Sequence, residues 1–140
     1  MASLFTRIID GELPGRFVWK DEHCVAFLSI APVRPGHVLV VPRAEIDHWI
    51  DCPPALAAHL MTVSRTLGEA IQKVFRPEKV ALTILGLEVR HTHLHLVPIR
   101  TEADMRFANA DENAKPEDMD AAAESIRTAL REAGCAEVAG

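Results

Sequence analysis

Apolar residues recur at intervals of three and four residues in two segments of the chain. This spacing places them on one side of a helix, so it predicts a long helix over residues 53–75 and a second over about 116–133. The apolar positions are Leu56, Leu60, Val63, Leu67, Ile71 and Val74 in the long helix, and Met119, Ile126 and Leu130 in the second. Asp51 is the expected cap of the long helix, and Gly134 is the expected end of the second.

Extended apolar runs elsewhere in the chain predict strands. They lie at residues 16–20, 24–30, 37–42, 80–85 and 91–99, and a short helix over 4–10 precedes them. The run at 37–42 is so apolar that we expect both of its faces to be covered. This order of elements predicts an α+β fold, with a mostly antiparallel sheet of about five strands, one long helix and a C-terminal helix. A single domain is expected over residues 1–140, with its core at about 4–100 and a C-terminal helical extension at about 101–140.

Composition narrows the class of protein. With 49% hydrophobic and 25% charged residues, the chain is typical of a globular domain, and its net charge of −5 offers no basic field for nucleic acid. No apolar run approaches the roughly 20 residues of a membrane span, and the first residues lack the apolar region of a secretion signal. Cys24, Cys52 and Cys135 form no CxxC pair, so neither a disulfide framework nor a cysteine-rich zinc site is expected. We therefore expect a cytoplasmic protein with no membrane or nucleic-acid partner.

Three histidines occupy every second position near the end of the sheet-forming region. His91, His93 and His95 would share one face of the strand predicted over 91–99, because side chains alternate along a strand. Three imidazoles are poor filler for a buried face, since each needs a hydrogen-bond partner. Their pKa of about 6.5 suits them to act as nucleophile, base or acid near neutral pH. His37 opens another predicted strand and joins this group.

A metal site is the main competing interpretation of the triplet. Along a straight strand His91 and His95 are about 13 Å apart, whereas two nitrogens that ligate one zinc ion lie within about 4 Å of each other. All three cannot bind one ion unless the strand bends, although His93 and His95 together with His37 remain a feasible set. A phosphate suits the spacing better, because one imidazole can attack phosphorus while its neighbours donate hydrogen bonds to the oxygens.

Three further blocks precede the triplet in a fixed order, at residues 5–14, 24–32 and 35–42. With these blocks and the segment 91–98, the sequence resembles the histidine-triad family of nucleotide hydrolases and transferases. The signature of that family is His-x-His-x-His followed by apolar residues. The resemblance covers most of the chain apart from its last 40 or so residues.

The resemblance implies a small α+β unit that dimerises by joining two sheets and takes a nucleotide or nucleoside phosphate as its substrate. His93, the middle histidine, would attack the α-phosphorus of an ester, anhydride or phosphoramidate and form a nucleotidyl-histidine that water hydrolyses. His91 and His95 would bind phosphate oxygens and move protons, and His37 would orient a triad imidazole from behind. Neither a metal nor a cofactor is implied for this chemistry.

The positions expected to bind the nucleotide are Phe27, Ser29, Ile30, Leu87, Glu88 and Val89. Some of these residues differ from the family pattern. Ser29 stands where most members carry an acidic residue that holds the ribose hydroxyls. Leu87 and Glu88 replace a glutamine and a hydroxyl residue of the phosphate loop, and Ser3 and Thr6 stand near the cysteines of a zinc-binding pattern. Two alternatives stay open: a nucleotide-binding dimer with little turnover, and a histidine-based metal site.

Overall fold

The computed structural model describes residues 2–140, in which three α-helices and five strands follow the order that the sequence predicts. The helices are α1 (Leu4–Ile9), α2 (Pro54–Phe75) and α3 (Pro116–Glu132). The strands are β1 (Phe17–Lys20), β2 (Cys24–Leu28), β3 (Val38–Pro42), β4 (Lys79–Ile84) and β5 (Leu94–Ile99). Within the part of the chain described, no helix is both long and apolar enough to cross a membrane.

All five strands join one antiparallel sheet in the order β1-β2-β3-β5-β4. Strands β1 and β2 form an antiparallel hairpin, with Lys20 of β1 opposite Val25 of β2. The α+β class and the five-stranded antiparallel sheet that the sequence predicts are therefore confirmed. Because β4 pairs only with β5, it forms one edge of the sheet.

The two faces of the sheet are covered by different helices. Ala26 and Val40 pack in the cluster that contains residues of α2 and α3, whereas Phe27 and Leu39 pack with residues of α1 on the opposite face. This division follows from the strand geometry, because neighbouring side chains point to opposite faces. Every residue of β2 and β3 is buried, which confirms the expectation that both faces of β3 are covered.

Helix α2 packs on the sheet through the apolar stripe that its spacing predicts. Leu60, Val63, Leu67 and Ile71 are buried, and Leu56 and Val74 pack against the same core while partly exposed. The predicted cap is wrong: Asp51 lies in a short 3-10 helix, and α2 begins at Pro54 with Pro53 as its N-cap. A residue before proline is kept extended, as Cys52 is, and so the helix cannot continue back to Asp51.

Strand β5 begins three residues later than the sequence predicts. The backbone N–H and the hydroxyl of Thr92 both donate to the carbonyl oxygen of Ile46, each at 2.7 Å. These bonds tie the segment to the loop after β3 and keep it out of the sheet ladder. His91 and His93 therefore precede β5, and only His95 of the triplet lies within a strand.

Candidate active site

The strand register places one row of side chains across the α1 face of the sheet. Phe27 lies opposite Leu39, Leu39 lies opposite His95, and His95 lies opposite Thr83. Since these residues are paired across neighbouring strands, their side chains share the face that α1 partly covers. They bring His95 next to an apolar floor made by Phe27 and Leu39.

A cavity of about 630 Å³ opens above this row. It is lined by the predicted positions Phe27, Ser29, Ile30, Leu87, Glu88, Val89, His93 and His95, and by Leu4, Phe5, Ile8, Leu13, Pro14, Leu28, Ala31, Leu39, Leu85, Gly86 and Phe107. His37 and His91 are absent from this lining. The volume falls within the range of about 300–1,000 Å³ that is usual for small-molecule sites.

The cavity wall is mostly apolar and carries little charge. No lysine or arginine lines it within residues 2–140, and Glu88 is the one carboxylate that does. Ile30 and Leu87 are largely exposed, so both present apolar surface to an incoming molecule. The polar groups that converge on the cavity are mainly the two histidine rings, whose centroids lie 4.7 Å apart.

The hydrogen bonds of His37 fix the tautomer of His95. The backbone N–H of Val33 donates to Nδ1 of His37 at 3.1 Å, so the proton of a neutral His37 ring is on Nε2. That Nε2–H donates to Nδ1 of His95 at 2.9 Å, which leaves the proton of a neutral His95 on its own Nε2. Burial and the neighbouring histidines lower the pKa of His37 to about 4 and that of His95 to about 3. Both rings are therefore neutral at pH 7.

His93 has the complementary tautomer. Its Nδ1–H donates to the backbone carbonyl of His91 at 2.7 Å, because a carbonyl oxygen only accepts. Burial lowers the pKa of His93, although the bond to the His91 carbonyl opposes this shift. The neutral ring thus carries an unprotonated Nε2. Among residues 2–140, neither this nitrogen nor Nε2 of His95 has a protein hydrogen-bond partner.

His91 is turned away from the cavity and is fully buried. Its Nε2–H donates to the carbonyl oxygen of Pro42 at 2.7 Å, so its Nδ1 accepts a hydrogen bond from the Ser3 hydroxyl at 2.6 Å. Both ring nitrogens are occupied within the protein. The expectation that His91 contacts phosphate oxygens does not fit this geometry, because Ser3 and the Pro42 carbonyl hold both of its ring nitrogens.

Two aromatic residues line the site although the sequence pattern does not indicate them as site residues. The Phe5 ring packs edge-on against His93, with centroids 4.7 Å apart, and Phe107 packs in the same way against His95 at 4.8 Å. Phe5 was hidden among the apolar residues of the first helix. Phe107 had a weak signal, since it is a lone aromatic residue in a polar and acidic segment.

The triad histidines do not form a metal-ligand set. Nε2 of His37 and Nδ1 of His95 are hydrogen-bonded to each other, and both nitrogens of His91 are occupied. Within residues 2–140, the one group of histidine, cysteine and carboxylate atoms close enough to hold an ion lies elsewhere. In this arrangement, His37, His93 and His95 therefore do not offer three free ring nitrogens to one ion.

Comparison with known proteins extends this picture. The HIT domain matches residues 10–102. "Protein hit" of Bacillus subtilis is 33% identical over 138 residues, which cover 91% of this chain and 93% of that protein. Bis(5′-nucleosyl)-tetraphosphatase [asymmetrical] of Schizosaccharomyces pombe is 30% identical over 104 residues, 68% of this chain and 57% of the relative.

A solved structure shares the fold over almost the whole chain. The zinc-bound histidine triad family protein of Mycobacterium smegmatis is 26% identical, and the two chains match over 96% of each with a TM-score of 0.82. The antiparallel sheet, the clustered histidines and the match over residues 10–102 lead to one conclusion: this chain belongs to the HIT domain family.

Proposed function

We propose that the protein is a nucleotide hydrolase or nucleotidyl transferase that acts at the α-phosphorus through a covalent intermediate on His93. One observation carries the proposal. The hydrogen-bond network leaves a lone pair on Nε2 of His93 beside the Nε2–H of His95, and both face a cavity of nucleotide size. A nucleophile next to a positioned donor is the arrangement that phosphoryl transfer needs.

The chemistry follows from these two nitrogens. The lone pair of His93 forms a bond to phosphorus while His95 donates its Nε2–H to a phosphate oxygen. The leaving group departs with its electron pair and takes up a proton from solvent, so His95 stays neutral and keeps its hydrogen bond to the phosphate oxygen. Water then attacks the phosphorus, loses a proton to solvent, and releases the nucleoside monophosphate and neutral His93, whose Nε2 regains its lone pair.

His91 and His37 act in this scheme as positioning residues. The His91 carbonyl holds the proton of His93 on Nδ1, and His37 holds the proton of His95 on Nε2. The apolar wall at Phe27 and Ile30 suits a nucleobase, and Ser29 at the same wall offers a hydroxyl to the ribose.

Incubation with adenosine 5′-phosphoramidate and with a dinucleoside tetraphosphate, followed by detection of AMP, tests the proposal. We expect turnover by the native chain and none by His93→Asn, which should still bind AMP. His48→Asn is the matched control, because His48 is exposed and lies outside the cavity lining. Turnover should also survive chelation, since no step needs a metal. Near-native turnover by His93→Asn would overturn the assignment.

A nucleotide-binding protein with little turnover is the second candidate. The described residues that line the cavity include no lysine or arginine. This favours the second candidate, because little positive charge is available to stabilise the transition state. Saturable AMP binding by the native chain without product release from either substrate would support this candidate over the first.

We also propose that the functional unit is a homodimer. Strand β4 is an edge strand with unpaired backbone groups on its outer side, and Leu82 of this strand is 39% exposed. Antiparallel pairing of two β4 strands about a two-fold axis would satisfy both edges and cover Leu82. Light scattering should give twice the 15.4 kDa chain mass. Leu82→Lys should shift the mass towards one chain, and a native monomer would contradict the proposal.

A further inference from the structure

A compact group of three side chains lies at the turn between β1 and β2, outside the cavity lining. Asp21 in this turn contacts Cys24 at the start of β2 and His59 on α2. One ligand atom from each residue lies within 4.8 Å of the other two. The group joins two parts of the chain that are far apart in sequence.

The Asp21 oxygen at the centre of this group is crowded. Oδ2 receives hydrogens from the Trp19 indole at 2.8 Å, from Nε2 of His59 at 2.7 Å and from the Cys24 thiol at 3.4 Å. Three donors therefore share one oxygen that has two lone pairs. A cation that replaced the thiol and imidazole hydrogens would leave this oxygen with two partners, the cation and Trp19.

The distances are close to those of a zinc site. Bond lengths of about 2.0 Å to oxygen and nitrogen and about 2.3 Å to sulfur place tetrahedral ligands about 3.3–3.5 Å apart. The Asp21 oxygen is 2.7 Å from the His59 nitrogen and 3.4 Å from the Cys24 sulfur. Side-chain rotations that move the His59 nitrogen outwards by roughly half an ångström would open the required space.

The turn also holds the carboxylate in place. The other oxygen of Asp21 accepts the backbone N–H groups of His23 and Cys24, at 2.7 and 2.8 Å. Such outer bonds orient a ligand and are typical of metal sites. Burial raises the pKa of Asp21, but the bonds from Trp19, Cys24, His23 and His59 outweigh it and hold the pKa well below its usual range, so the group is anionic.

Charge and access also suit a divalent cation. One carboxylate and one thiolate balance a charge of two. The His59 side chain is 33% exposed, and the more exposed ring of His23 packs beside it with centroids 5.4 Å apart. The site is thus reachable from solvent, with His23 or water as the fourth ligand.

We propose that Asp21, Cys24 and His59 form a binding site for a zinc-like transition-metal ion, which links the β1–β2 turn to α2. Oxygen, nitrogen and sulfur ligands of this kind select zinc and cobalt over magnesium or calcium. Binding releases the thiol proton of Cys24 to solvent, while the proton of a neutral His59 moves to Nδ1. The site is separate from the cavity, so this metal takes no part in the proposed reaction.

Cobalt titration of the full chain tests the site, because Co²⁺ substitutes for zinc and reports sulfur ligation by absorbance. Trp19 lies against Asp21, and Trp49 is the other tryptophan of the chain. In a Trp49→Phe background, one equivalent of Co²⁺ should quench Trp19 fluorescence and produce a thiolate-to-cobalt absorption band. Zinc should then displace the cobalt. The absence of the band would overturn the proposal.

Variants separate this site from other metal ligands. Cys24→Ser should remove the absorption band, and His59→Asn should weaken cobalt binding by at least about tenfold. Cys135→Ser and His93→Asn are the matched controls and should bind like the parent. The buried Cys24→Ser variant is checked for folding by circular dichroism. If it does not fold, the cobalt affinity of His59→Asn tests the proposal instead. Binding that survives His59→Asn, or that is lost in His93→Asn, would overturn the proposal.

Discussion

Replacing Ser3 or Ser64 by alanine should change the stability of the protein in opposite directions. The Ser3 hydroxyl accepts the backbone N–H of Thr6 at 3.0 Å, which caps α1, and donates to Nδ1 of His91 at 2.6 Å. The Ser64 hydroxyl is buried in α2 and has no hydrogen-bond partner within residues 2–140. Ser3→Ala therefore removes an oxygen that makes two hydrogen bonds, whereas Ser64→Ala removes an oxygen that makes none.

The magnitudes follow from these contacts. Ser3→Ala loses a helix cap, worth about 1 kcal/mol, and leaves the buried Nδ1 of His91 without a donor, which costs about 1–3 kcal/mol. We expect a loss of about 2–4 kcal/mol in the free energy of unfolding. Ser64→Ala removes an unpaired buried hydroxyl and introduces a better helix former, so it should gain about 1 kcal/mol.

Urea denaturation followed by circular dichroism measures both changes. With an m-value of about 2 kcal/mol/M, the midpoint of Ser3→Ala should fall by about 1–2 M, and that of Ser64→Ala should rise by about 0.5 M. Ser3→Thr keeps the hydroxyl and should stay close to the native midpoint. If the two alanine variants shift the midpoint in the same direction, the hydrogen-bond reasoning is refuted.

The remaining predictions concern pH and the substrate. The pKa values of His37 and His95, about 4 and about 3, lie below the unfolded value of 6.5, so the unfolded chain binds more protons as the pH falls. The free energy of unfolding should therefore decrease from pH 6.5 towards pH 4, by up to about 1.4 kcal/mol per pH unit for each histidine; a flat profile in urea titrations would contradict this. Ser29→Asp should tighten AMP binding about tenfold in calorimetry, since a charged acceptor binds the ribose hydroxyls more strongly, and 2′-deoxy-AMP should gain little. Glu88→Gln should raise kcat/KM for a dinucleoside tetraphosphate severalfold relative to the phosphoramidate by removing a like charge, whereas exposed Glu78→Gln should leave the ratio unchanged.

The order of elements and the buried faces could be predicted because they depend on local pattern. The spacing of apolar residues in α2 and the apolar run of β3 reflect 3.6-residue and two-residue periodicities, which hold wherever the element packs. Element ends were less predictable, since they depend on single contacts. Pro53, and not Asp51, is the N-cap of α2. The bonds of Thr92 to Ile46 keep residues 91–93 out of the sheet, so β5 begins at Leu94.

The sequence by itself determined that three alternating histidines occur near the end of a small antiparallel sheet, and so determined the type of chemistry to expect. Only the tertiary structure decided which nitrogens are available. Ser3 and the Pro42 carbonyl occupy both nitrogens of His91, and His37 assigns the proton of His95. These partners lie 49 to 88 residues away along the chain. A proton's position on an imidazole depends on the group that faces it, and contacts over such separations exist only once the sheet and α1 have assembled.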